Sequence, residues 1–126
     1  MERGEYMDSS RFHDRLKSKV DAYAHSVYQI TKAFPKHERY GLTSQLNRSA
    51  VSVALNYIEG FARNRKLPYI QFLEISYGSL KESRYLLSFC HKENMMDQVT
   101  FSNIDALADD IGSMLWKLIE LKKQDS

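Results

Sequence analysis

The chain has 126 residues, 43% hydrophobic and 27% charged, with 18 basic and 16 acidic residues for a net charge of +2. That is enough for one domain with a real core, and too little for two. A single cysteine, Cys90, excludes a disulfide framework, and no apolar run approaches a membrane helix or a signal peptide, so a cytoplasmic protein with no membrane partner is expected.

The charge is unevenly distributed. Residues 1–10 hold one basic and three acidic residues, 11–66 hold eleven basic and four acidic, and 67–126 hold six basic and nine acidic. The net charges are thus −2, +7 and −3. A basic first half attracts nucleic acid or another acidic partner, or simply forms a solvated surface neutralised by the second half.

Residues 1–10 are polar, contain Gly4 and lack a period, and are expected to form a flexible leader before a bundle domain over 11–123. Leu16, Val20, Tyr23, Val27, Ile30 and Phe34 repeat at four-three spacing. They predict a helix over 10–33, capped by Ser9 or Ser10 and stopped by Pro35. Residues 36–41 form a connection.

A second helix is predicted from Leu42, with Thr43 as its cap, to about Arg63. Its inward positions are Leu42, Leu46, Ser49, Val53, Asn56 and Gly60. Three of these six add almost no apolar area. Small residues let another helix approach closely, and a buried Asn sets register at some cost in stability. Neighbours crowding this helix, from more than one subunit, are expected. The basic run Arg63, Arg65 and Lys66 follows, where positive charge complements the helix dipole by about 0.3–1 kcal/mol or meets phosphate.

Leu67 and Pro68 open a third helix, since proline is tolerated in a first turn. Its stripe is Tyr69, Leu73, Ser76, Leu80, Ser83, Leu87 and Cys90, widened by Phe72, Ile75, Tyr77 and Leu86. Gly78 costs roughly 1 kcal/mol against alanine in mid-helix, so a close helix contact is expected there. A fourth helix is predicted from Ser102, with Asp105 completing a capping-box arrangement. Ile104, Leu107, Ile111, Met114, Leu118 and Leu121 form its stripe, and Trp116 falls off it, covering a bundle edge or meeting a partner. Four amphipathic helices with short connections and no period-2 segment predict an all-α, antiparallel four-helix bundle.

The chemistry of sites is sparse. His13, His25, His37 and His91 include no pair at i,i+3 or i,i+4, so no metal and no cofactor are expected. Cys90 lies on an apolar stripe and reads as core. Asn56 and Glu59 share a helix face and read as structural, bonding to helix termini or to the 36–43 connection rather than acting as acid and base. No phosphate loop or nucleophile elbow is present, and no enzyme is expected.

Three blocks carry a resemblance. They are AFPKHERYGLTSQLNRSAVSV, then Asn56, Glu59, Gly60, Phe61 and Arg63 in N-x-x-E-G-F-x-R, then FLEISYGSLKE from Phe72 to Glu82. In this order and spacing they resemble the bacterial four-helix-bundle family of 23S ribosomal RNA intervening-sequence proteins. That family includes the accessory variability determinants of diversity-generating retroelements. The resemblance implies assembly into a homopentameric ring or barrel and nucleic-acid binding. In the retroelement branch it also implies association with a reverse transcriptase.

The function expected is a non-enzymatic, self-associating protein that binds RNA or DNA, or serves as an accessory factor, through a basic surface. Lys17, Lys19, Arg39, Arg48, Arg63, Arg65 and Lys66 are the candidate phosphate contacts. Asn56, Glu59, Gly60, Phe61 and Gly78 are the candidate structural and oligomer residues. In a symmetric ring each basic residue recurs, so weak contacts combine by avidity. The alternative is a scaffold for a polypeptide partner with no nucleic-acid role.

Overall fold

The structure, a computed structural model, describes residues 10–63 and 65–125. The expected leader lies outside the described residues except for Ser10, which opens the first helix. Four helices follow one another: α1 (Ser10–Thr31), α2 (Leu42–Phe61), α3 (Lys66–Lys92) and α4 (Gln98–Gln124), with a 3₁₀ turn (Lys36–Glu38) between α1 and α2. The described residues contain no strand, and no helix among them is long and apolar enough to cross a membrane.

Each helix packs on its neighbours in sequence, and contact between α1 and α4 closes the ring, so the order around the bundle is α1, α2, α3, α4. Leu16, Val20, Tyr23 and Val27 of α1 meet Leu46 and Val53 of α2, Leu73, Leu80 and Leu87 of α3 and Ile111, Leu115 and Leu118 of α4 in one buried cluster. Side chains lock the diagonal as well. Ser83 donates to the carbonyl of Leu80 at 2.9 Å, which leaves its oxygen to accept the Tyr23 hydroxyl at 2.7 Å, joining α1 to α3.

The helix ends explain the tight connections. Phe34 N–H donates to Thr31 O at 3.0 Å, and Pro35, at φ −58°, cannot extend the ladder. At the end of α3, Asn94 adopts φ 61°, with Met95 N–H on Cys90 O at 2.9 Å and Asn94 N–H on His91 O at 3.0 Å. That pair of bonds is a Schellman turn, and asparagine is one of the few residues that enters it easily.

Two predicted caps are corrected. Gly41 occupies the cap of α2 with no side-chain bond, and Thr43 lies inside the first turn, its buried hydroxyl without a partner among the described residues. The fourth helix starts four residues before Ser102. Asp97 caps it by accepting from Thr100 N–H at 2.7 Å, while Asp105 turns away to bind Arg84 at 3.0 Å. A hydrogen-bonding residue closer to the true start displaced the capping-box pattern.

The small-residue face of α2 is used chiefly against α3, the most extensive pairing in the molecule. Gly60 is buried there, and a Cβ on it would stand 3.1 Å from Phe72 Cβ. Ser76 donates to the carbonyl of Val53 at 2.7 Å, and Ser52 shares a hydrogen bond with Ser79 at 2.8 Å. Hydroxyls this short reach across only because the backbones are close.

Gly78 and Ile75 depart from expectation. No atom lies within 4 Å of where a Gly78 Cβ would be, so no helix of this chain compensates for that glycine. Ile75, predicted to widen the core stripe, is 50% exposed. Both point outward from α3, on the face opposite its core stripe.

Candidate functional site

The antiparallel order sorts the basic residues by bundle end. At one end α1 and α3 begin and α2 and α4 finish. Lys17 in the second turn of α1, Arg63 and Arg65 in the α2–α3 connection, and Lys66 at the start of α3 all belong to this end. Arg39 follows the 3₁₀ turn at the other end, and Arg48 lies in the first two turns of α2. The 15 residues from Arg48 to Arg63 correspond to about 22 Å along a helix axis. Lys19 is committed elsewhere, paired with Asp110 of α4 at 2.6 Å. The seven predicted phosphate contacts therefore do not form one patch. Four share an end, two lie toward the other, and one is neutralised.

At the shared end the cations differ in freedom. Arg63 is bonded to Glu59 at 2.9 Å, and its guanidinium lies 5.0 Å from the centre of the Phe72 ring. Lys66 donates to the main-chain oxygen of Asp125. Lys17 and Arg65 are exposed, and among the described residues neither has an ion-pair partner. Because α2 finishes at Phe61, Arg65 and Lys66 sit at the start of α3, where the helix dipole disfavours positive charge. The dipole use predicted for them is therefore absent. Arg11 and Arg15, exposed on the first turns of α1, join the same end. Sequence reasoning passed over them, although their i,i+4 spacing off the apolar stripe was a readable signal.

Beside Lys17 a recess of about 300 Å³ opens between α1 and α2, bordered by Ser10, Asp14, Ile58 and Phe61. Its inner wall is His13. The imidazole Nδ1 meets the Tyr57 hydroxyl at 2.6 Å, Nε2 lies 3.5 Å from the Tyr69 hydroxyl, and the Phe61 ring is 4.3 Å away, centre to centre. With both nitrogens engaged and the ring buried, His13 works as a polar tie among α1, α2 and α3. It was not singled out in sequence, because one histidine beside Phe12 carries no spacing signal.

The remaining candidates resolve individually. Asn56 is half-buried and donates to both the carbonyl and the hydroxyl of Ser52 at 2.9 Å. Glu59 is exposed and bound to Arg63. Neither reaches a helix terminus or the 36–43 connection, which corrects the role predicted for the pair. Their bonds stay within α2 and its immediate end, because the connection lies at the far end of that helix. Phe61 is 51% exposed and covers His13. Cys90 is buried, and burial pushes its thiol up to about 11, so it carries no thiolate at neutral pH. Among the described residues no three His, Cys, Asp or Glu side chains converge as a metal site.

On the outside of the bundle, Val51, Leu55 and Ile58 lie at i, i+4 and i+7 on the face of α2 opposite its core, each exposed. Ile75, Gly78 and Phe89 lie on the outward face of the adjacent α3. The α2–α3 layer thus presents apolar surface on both sides.

Among curated proteins no sequence match was found. Among solved structures the fold is similar to a crystal structure of a protein of unknown function from the S23 ribosomal protein family of Bacteroides thetaiotaomicron. The TM-score is 0.79 at 18% identity, covering 85% of this chain and 96% of that one. The chain also matches the family model of the 23S rRNA-intervening sequence protein over residues 15–117, and it belongs to that family.

Proposed function

We propose that the protein is a non-enzymatic, self-associating nucleic-acid-binding factor whose contact surface is the bundle end at the α2–α3 connection. The observation that carries this reading is that Lys17, Arg65, Lys66, Arg11 and Arg15 all lie at that end of the bundle and are exposed. Arg65 and Lys66 stand where the helix dipole makes positive charge costly, so a compensating anion is the physical use for them. The family's name, which concerns ribosomal RNA, supports phosphate as that anion. Arg39 and Arg48 add a second, weaker approach at the other end.

The test is a titration of the protein against structured RNA and duplex DNA at 50 and 200 mM salt. Five phosphate contacts on a duplex correspond to a loss of roughly 500-fold in affinity between those concentrations. Reversing charge at Arg65 and Lys66 should weaken binding and flatten the salt slope. Undetectable or salt-independent binding removes the proposal.

Self-association rests on the outward apolar faces of α2 and α3, where Gly78 leaves room for a close approach. A homopentameric ring is the assembly that the family resemblance implies. Light scattering should then give about 74 kDa for five chains of 14.7 kDa. Leu55→Lys with Ile58→Lys should lower that mass while helicity is kept. The same face also favours a second reading, a polypeptide partner such as a reverse transcriptase. In that case the chain is monomeric alone and the two lysines abolish capture of the partner.

A further inference from the structure

A second recess, of about 320 Å³, lies between α3 and α4. Its walls are two aromatic rings from different helices. Tyr77 and Trp116 stand 5.8 Å apart, centre to centre, with planes inclined at 45°, and Trp116 is 53% exposed. The indole adds nothing to the core stripe of α4, and half of a large flat surface is left to solvent.

The floor is Gly112, one turn before Trp116 on the same face of α4. A Cβ there would stand 3.3 Å from a methyl of Leu80. Glycine both lets α3 and α4 close and keeps the recess empty, since a longer side chain would fill it.

The polar groups around the rings are few and distinct. The Lys81 ammonium lies 5.2 Å from the centre of the Tyr77 ring, and among the described residues it has no carboxylate partner. Arg84 is already held by Asp105 at 3.0 Å, so it does not compete for a ligand anion. Asp109 touches Arg84 only at 3.6 Å and is 81% exposed, leaving acceptor capacity free. Ser113 supplies a hydroxyl.

An aromatic-walled recess with the Lys81 cation on α3 and the exposed Asp109 carboxylate on α4 matches a planar heteroaromatic carrying a donor edge and a linked anion. From this we infer that the Tyr77–Trp116 recess binds an unpaired nucleotide. Its base stacks on Trp116, its phosphate meets Lys81, and an exocyclic amino group donates to Asp109. Stacking of single-stranded bases on aromatic side chains is sequence-tolerant, and the carboxylate adds a preference for amino-bearing bases over uracil. The inference rests on the nucleic-acid reading for a strand as the source of the nucleotide, but the recess chemistry serves a free nucleotide equally.

Trp116 is the single tryptophan of the chain, so fluorescence excited at the long-wavelength edge, where tyrosine does not absorb, reports this recess alone. The intact protein is titrated with AMP, with hexa-adenylate and with hexa-uridylate. Saturable quenching by hexa-adenylate, tighter than by hexa-uridylate and weakened roughly tenfold or more in Tyr77→Ala and in Lys81→Ala, is the expected result. Asp109→Asn should narrow the difference between the two strands. Quenching by AMP with equal affinity identifies a free nucleotide as the occupant, whereas a strand preference identifies a nucleic-acid subsite.

No saturable quenching up to millimolar ligand, or quenching unchanged in both alanine variants, overturns the inference. Charge reversal at Arg65 and Lys66 separates the two proposals. AMP quenching that survives it shows the recess acting without the basic end. Duplex binding, with no saturable quenching by AMP or by either hexanucleotide, leaves the basic-end reading standing and removes this one.

Discussion

A Cβ added to Gly60 of α2 would stand 3.1 Å from Phe72 Cβ and 3.3 Å from the carbonyl oxygen of Tyr69. The atoms it meets are backbone or next to it, so they cannot swing aside. Gly60→Ala should force α3 outward and lower stability by about 1–3 kcal/mol. Gly78→Ala has the opposite sign. Nothing lies within 4 Å of that position, so the better helix propensity of alanine should raise the stability of the isolated chain by about 0.5–1 kcal/mol. Urea denaturation of the two variants gives both signs, and equal shifts would contradict this account of the α2–α3 contact.

Tyr23 provides a pH-dependent prediction. Burial pushes its phenol up to about 12 from an ordinary value near 10. The folded chain therefore keeps this proton at pH values where the unfolded chain has lost it. The contribution is intact below pH 10 and is lost as pH rises toward 12, by about 2–3 kcal/mol. Tyr23→Phe should cost roughly 1 kcal/mol at neutral pH through the lost bond to Ser83, and should reduce the alkaline loss. Stability curves of both proteins at pH 8 and pH 11 make the comparison. Parallel curves would refute a buried, protonated Tyr23.

The start of α4 can be located by substitution. Asp97→Ala removes the acceptor of the Thr100 N–H and should lower the melting temperature, whereas Ser102→Ala, inside the helix, should leave it nearly unchanged. The Asp97 carboxyl is held below its ordinary value by that bond. Its support is therefore present above the unfolded value and fades as pH falls through the folded one. A melting temperature that responds to Ser102 and not to Asp97 would return the cap to the position read from sequence.

Much of the helical framework was legible because periodicity is a property of each helix by itself. Leu16, Val20, Tyr23 and Val27, or Leu73, Leu80, Leu87 and Cys90, must share a face wherever the other helices lie. Cap positions were less legible, since Ser, Thr and Asp compete over a few residues. Asp97 prevailed by lying nearer the true end of the turn that Asn94 makes.

Sequence alone determined that this chain makes four amphipathic helices, that its second helix carries small residues inward, and that its first half is basic. The tertiary structure decided what each of those features meets. Gly60 faces a neighbouring helix and Gly78 faces solvent, although both are glycines in helices. Lys19 is neutralised by Asp110, 91 positions away, while Lys17, two residues before it, has no ion-pair partner among the described residues. The Tyr77–Trp116 recess joins side chains 39 positions apart. The physical reason is one of range. Helical spacing fixes which side a residue is on, but only the antiparallel packing of α1 to α4 fixes which partner stands opposite.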